Sequence, residues 1–326
     1  MRNVLAILLP DGAFSRTEAE VLTAGKGLAH QLGADLAAAV LGPADDALAC
    51  DCFAYGAKSV IRVDGLAAYQ NEIYSAAAQE VAKAAAADVV LFPSTTYGLE
   101  IAPVLGYRLG AAVVLDCIRV EGDSAGNLAI TKPVYGGKAN SELIARQGPV
   151  VIAMRMRSVA PGEKQDGATG EIRTIPSPGV APKTQILEHK TEDTGSGPKL
   201  EDARVIVSGG RGMGNKENFV QLEEVARILG GSVGASRAAC DLGWVPASFQ
   251  IGQTGKKVAP DLYLAVGISG ASQHLVGIAG ARHVVAINKD ERAPIFQIAA
   301  LGVVDDWQAL LPKLREALKE HQDKNS

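Results

Sequence analysis

The feature that most limits the fold is a rhythm. Short runs rich in β-branched residues and leucine, at residues 3–9, 35–40, 59–63 and 89–93, alternate with segments of helical length. Strands spaced by helix-length segments predict βαβ units and a parallel sheet covered by helices. Residues 16–32 place Ala19, Leu22, Leu28 and Leu32 near one face, and residues 69–86 are dense in alanine, so both read as crossover helices. A further helix is expected over 98–109. The pattern then turns to strands at 113–120, 128–135 and 150–156, the first two joined as a hairpin by Gly-Asp-Ser-Ala-Gly-Asn at 122–127. Residues 157–202 carry scattered prolines with many Gly, Ser, Thr and Lys residues and read as a linker with one strand near 184–189. A second α/β unit follows, with strands at 204–207, 232–236, 261–266 and 283–287 and helices at 216–229, 271–278 and 307–320.

The chain has 326 residues, enough for two cores. The expected organisation is an N-terminal Rossmann-like domain with a parallel or mixed sheet over 1–190, its linker starting near 157, then a doubly wound parallel-sheet domain over 200–326. With 47% apolar and 21% charged residues the chain should fold throughout. A net charge of −4 argues against nucleic acid or anionic lipid as partner. The apolar run 3–9 is stopped by Pro10, Asp11 and Gly12, too early for a secretory core or a membrane span. Four dispersed cysteines fit a reducing compartment, so a cytoplasmic protein is expected. Cys50-Asp51-Cys52 has no second ligand pair, and no metal site is expected.

Glycine and donor-rich loops recur where strands of the second unit end. Ser208-Gly209-Gly210-Arg211-Gly212-Met213-Gly214 follows the first strand, but Asn215 breaks the GxGxxG spacing, so this loop alone equally fits a tight turn. Gly234-Ala235-Ser236-Arg237, Gln250 to Gly255 and Gly267 to His274 come next. In a parallel sheet these loops lie along one edge, where open α/β sheets bind ligands. Their polar residues include Ser236, Arg237, Gln253, Thr254, Ser269, Gln273 and His274, with no carboxylate, which suits an electron-rich anionic ligand.

Leu262-Tyr-Leu-Ala-Val-Gly-Ile-Ser-Gly-Ala-Ser-Gln-His-Leu-Val-Gly277, followed by Val284-Val-Ala-Ile-Asn288, resembles the signature of the electron-transfer flavoprotein α subunit. Ser208 to Gly212, Gly234 to Arg237 and Gly252 to Lys256 resemble that family's other FAD loops, in the same order. The likeness is close over 204–306 and general before that, where Tyr135-Gly136-Gly137-Lys138 is its clearest echo. Ser272 departs from it, standing where the family has Val or Ile.

The resemblance implies one FAD in this chain and a β subunit that contributes to the flavin environment and holds AMP or a second FAD. It implies His274 beside the flavin O2 region, Thr254 at the N5 and C4=O edge, and Arg237 facing the ring. Positive potential there favours the reduced flavin. It further implies contacts from Arg211, Ser236, Gln253, Asn288 and Asp306 to the pyrophosphate, ribityl or adenosine portions. Ile251, Gly252, Ser269, Gly270, Ala271, Ser272, Gln273 and Trp307 complete the implied pocket. The function implied is an electron carrier, not an enzyme with its own substrate, in the cytoplasm or a mitochondrial matrix. It would take electrons from acyl-CoA-type flavin dehydrogenases and deliver them to a quinone oxidoreductase. Two alternatives stand beside it: the α subunit of an NADH-oxidising, electron-bifurcating flavoprotein, and a nucleotide-dependent α/β enzyme or sensor.

Overall fold

Ser15 shows how closely local chemistry sets the first elements. Its side chain accepts from the Thr17 amide while Glu18 reaches back to the Ser15 amide, a capping box opening the first helix, and Gly33 closes it in the left-handed conformation. In the computed structural model, which describes residues 2–10, 12–42, 46–66, 68–146, 148–188 and 197–325, the chain divides after Glu188 into two compact units.

The first unit contains β1 (Val4–Leu8), α1 (Arg16–Leu32), β2 (Leu36–Val40), α2 (Asp46–Ala54), β3 (Ser59–Asp64), α3 (Asn71–Ala84), β4 (Val89–Pro93) and α4 (Thr96–Leu109). There follow β5 (Ala112–Cys117), β6 (Arg119–Gly122), β7 (Leu128–Val134), β8 (Ala139–Ala145), β9 (Val150–Met154) and β10 (Glu171–Pro176). Seven of the strands form a parallel sheet in the order β10-β3-β2-β1-β4-β9-β5. Strands β1, β4 and β9 are buried along their whole length, because helices cover both faces and leave no polar side to alternate with.

Four features of this unit differ from expectation or had no element assigned to them. The single strand predicted over 113–120 is two strands in two sheets. Asp116 has a φ of +62°, the register of β5 against β9 shifts between Val114 and Cys117, and the chain turns into the separate antiparallel sheet β6-β7-β8. Arg155 holds Asp116 with two hydrogen bonds of 2.9 and 2.7 Å, a bidentate pair that fixes the turn. Strand β8 was not expected, because most of its residues are exposed and no alternation marks it. Its preceding Tyr135 to Lys138 segment forms the loop from β7, with Tyr135 itself exposed.

The third is α2, which occupies the helix-length segment between the strands expected at 35–40 and 59–63, and which carries Cys50 on its exposed side and Cys52 in the core. Burial pushes the Cys52 thiol up to about 12, so it is an inert packed group. The fourth concerns the linker. Residues 184–188 form no strand, while His189 lies outside the described residues; instead β10 at 171–176 pairs with β3 at the sheet edge. Its mostly exposed side chains hide it from a reading based on apolar runs.

The second unit contains β11 (Val205–Gly209), α5 (Phe219–Ile228), β12 (Ser232–Ala235), α6 (Arg237–Asp241), β13 (Leu262–Val266), α7 (Ser272–Gly277), β14 (His283–Asn288), β15 (Leu301–Val304) and α8 (Trp307–Asn325). All five strands are parallel, in the order β12-β11-β13-β14-β15. Val207, Leu264 and Val266 face one core with Phe219, Leu222 and Trp307, while Ile206, Tyr263 and Ala265 face the other with Ile251 and Ile278. Strand β15 was not expected, since it is a short, largely exposed edge. Among the described residues, no helix is long and apolar enough to cross a membrane.

Candidate functional site

The strand order decides where a site can form in the second unit. From β11 the chain crosses to β12 on one side, and it later returns to β13 on the other, so the loops after β11 and β13 diverge at a topological switch point. These are the first and last of the glycine loops.

The two loops are packed backbone against backbone. A Cβ on Gly210 would stand 2.2 Å from the Gly267 carbonyl oxygen, and one on Gly212 would stand 2.8 Å from both that oxygen and the Gly267 Cα. Gly210 and Gly212 donate their amides to the Val266 and Gly267 carbonyls, at 2.9 and 3.0 Å, and Gly267 takes a left-handed φ of +61°. The amides of Met213 and Gly214 are also spent within the loop. The first glycine loop therefore braces the second. Arg211 projects from this brace, exposed, and the helix expected at 216 begins only at Phe219.

The second loop differs. Among the described residues, the amides of Ser269, Gly270, Ala271, Ser272 and Gln273 donate to no main-chain carbonyl. Ser269, Ala271, Ser272 and Gln273 are exposed, so this is an open row of donors that an electron-rich ligand can accept from. Ser272, in place of an aliphatic side chain, is exposed.

His274 closes the row and is buried at 7% exposure. Its Nε2 lies 2.9 Å from the Tyr263 hydroxyl, while its Nδ1 is buried with no hydrogen-bond partner. Burial pushes the imidazole down to about 4, and the nearby Ile251 main chain opposes that only in part. A buried polar atom left unpaired is rare in a folded chain and marks a place where a ligand can complete the network.

The remaining expected residues gather around these loops by main-chain hydrogen bonds. Ser236 donates its amide to Gly209, and Gln253 donates its amide to the Gln273 carbonyl at 2.7 Å, which ties the Ile251 to Thr254 loop to the start of α7. Asn288 donates to the Ile268 carbonyl at 2.9 Å. Asp306 caps α8 through the Gln308 amide and pairs with Lys289 at 2.8 Å, and that hydrogen bond holds its carboxyl below the usual range. Trp307 is buried and donates its indole N–H to the Gly212 carbonyl at 2.9 Å. Ile251 lies in the core, and Gly252 and Gly270 are buried in close backbone packing.

Two side chains have local partners of their own. Arg237 is exposed and pairs with Asp241 one helical turn on, at 3.2 Å, while Thr254 accepts from Gln250 at 3.0 Å. Cys240, half-buried, has its thiol pushed up to about 11 by burial and then by Asp241, so it is not poised as a thiolate. Reading the motifs alone gave Tyr263 no role. Its signal was present: a lone polar residue in an otherwise aliphatic strand.

The His274 environment makes a prediction for acid stability. Its folded pKa lies below its unfolded value, so the unfolded chain takes the proton more readily. The neutral ring's contribution is complete above pH about 6.5 and is lost as pH falls through about 4. A shift of this size corresponds to about 3 kcal/mol. In urea titrations of the flavin-free chain at pH 7 and pH 4, His274→Gln should lose about 3 kcal/mol less than wild type on acidification. Equal losses would remove His274 from the acid response.

Residues 4–179 match the family described as "Electron transfer flavoprotein domain", and residues 199–279 match "Electron transfer flavoprotein FAD-binding domain". The chain is 35% identical over 312 residues to the "Electron transfer flavoprotein subunit alpha" of Bacillus subtilis, covering 95% of each chain. It is 38% identical over 308 residues to "Protein FixB" of Azorhizobium caulinodans, covering 92% of this chain and 84% of that one. It is 36% identical over 326 residues to "Protein FixB" of Rhizobium meliloti, covering 97% of this chain and 92% of that one. The FAD-binding-domain match ends at residue 279, before Asn288, Asp306 and Trp307.

Proposed function

The chain belongs to the electron transfer flavoprotein α-subunit family, and on that premise we propose that it is an electron carrier binding one FAD at the switch point of its second unit. The observation that carries the reading is the open row of amides from Ser269 to Gln273 ending at the buried, unpaired Nδ1 of His274. When bound, FAD supplies the capacity to take up and release electrons singly.

The chain's own residues would do four things. Ser269, Gly270, Ala271, Ser272 and Gln273 would donate amides to the electron-rich part of the flavin, and His274 would add a ring N–H. Thr254 would donate its hydroxyl to the ring edge, a donor its present role as acceptor from Gln250 leaves free, and Arg237 would offer the guanidinium whose Nε pairs with Asp241. Arg211, Ser236, Gln253, Asn288 and Asp306 would hold the pyrophosphate, ribityl and adenosine portions, with Arg211 supplying a permanent charge to the pyrophosphate. Ile251, Gly252 and Trp307 would keep the pocket wall closed to water.

The partner we propose is an electron-transfer flavoprotein β subunit, itself holding AMP or a second FAD. Flavin dehydrogenases of the acyl-CoA type are the proposed donors, and a quinone oxidoreductase the acceptor. Co-production with the β subunit tests this: the purified dimer should carry a visible flavin spectrum with one FAD in this chain. A dimer without flavin after incubation with FAD would overturn the reading. Arg237→Gln should retain the flavin but lower its reduction potentials, and unchanged potentials would take Arg237 out of the ring environment.

A further inference from the structure

Tyr263 is the only polar side chain in β13, and it is completely buried, with its hydroxyl 2.9 Å from His274 Nε2. Such a contact can run in either direction. The phenol can donate to a bare Nε2, which leaves the ring proton on Nδ1, or Nε2–H can donate to the phenol oxygen.

The accounting of hydrogens separates the two. If Nε2 were the donor, the phenol hydrogen would need another acceptor in the core. Ser208 shares the sheet face, because the register pairs Ile206 with Tyr263 and Ser208 with Ala265. Its hydroxyl approaches closely enough to ease the burial-driven rise of the phenol's pKa, yet it is outside hydrogen-bond geometry. Tyr263 makes no other hydrogen bond among the described residues. Stranding the core-buried phenol hydrogen costs about 1–3 kcal/mol, whereas donating it to Nε2 moves the unmet hydrogen to Nδ1, where an electron-rich ligand can accept it. Burial raises the phenol's pKa, so the hydrogen is present to be donated.

We propose that Tyr263 is a positioning residue that donates to His274 Nε2 and so holds the ring proton on Nδ1, presenting a neutral imidazole as a hydrogen-bond donor toward the electron-rich edge of the flavin. Only the identity of the acceptor rests on the FAD reading.

The test is the 15N spectrum of the oxidised, flavin-loaded heterodimer with 15N-labelled histidine, the His274 signals being those that vanish in His274→Gln. Nδ1 should show the shift of a proton-bearing nitrogen and Nε2 that of a bare one. In Tyr263→Phe, with flavin still bound, the ratio of Nδ1–H to Nε2–H should fall by tenfold or more. A bare Nδ1, or a doubly protonated ring, in the wild-type protein would overturn the proposal. So would a Tyr263→Phe protein whose tautomer is unchanged. If that variant does not fold, the wild-type spectrum decides alone. Failure of the FAD reading is seen separately, as a missing flavin spectrum, and the His274 tautomer can still be read in that sample.

Discussion

Replacing Gly210 with alanine is expected to abolish flavin retention and to destabilise the second unit by about 3 kcal/mol, the upper range of overpacking costs. The new Cβ would lie 2.2 Å from the Gly267 oxygen and 2.7 Å from both the Gly267 carbonyl carbon and the Ile268 Cα. All three neighbours are backbone, so no side chain can swing away, and the loop that carries the amide row must move. Gly210 itself has a φ of −105°, which alanine adopts freely, so the objection is one of space alone. Gly27→Ala is the matched control, because nothing lies within 4 Å of its Cβ position. The ratio of flavin to protein absorbance and the urea midpoint check both effects. A Gly210→Ala protein with wild-type values for both would show that the two loops are not coupled as described.

Trp307→Ala should cost about 3–5 kcal/mol, the usual loss on truncating a buried tryptophan. The ring packs in the core against which α5 and α8 close, and its N–H satisfies the Gly212 carbonyl. Trp307→Phe divides these contributions. It keeps most of the packing but leaves that carbonyl without its donor, an expected loss of about 1–3 kcal/mol. Flavin retention in the phenylalanine variant then reports how far the Gly212 loop depends on this latch. If Trp307→Phe binds and unfolds like wild type, the indole hydrogen bond has no part in holding the site.

Much of this was readable before any coordinates. The helix over 16–32 and the strand over 89–93 end where the sequence places them, because Ser15, Gly33 and the apolar run itself are local signals. The loops at 208–214, 250–255 and 267–274 were also legible as a convergent set, since the ends of parallel strands lie along one edge of the sheet. Strands β8, β10 and β15 were not legible. Each is largely exposed, so its own side chains carry little pattern, and β10 is also held by pairing with β3, distant in sequence.

The amino-acid sequence by itself determined the alternation of elements, the two-unit organisation, and the order of the glycine loops that marks the family. These follow from periodicity, capping and turn preferences, which act over a few residues. The tertiary structure alone decided that β11 and β13 are neighbours, that one glycine loop braces the other, and that His274 has one nitrogen satisfied by Tyr263 and one left unpaired. Those outcomes depend on which distant backbones approach within a few ångströms and on how few hydrogen-bond partners burial leaves them. No local pattern encodes either, and that is why the first glycine loop, which resembles an anion cradle in sequence, proves in the fold to be the brace of the loop after β13.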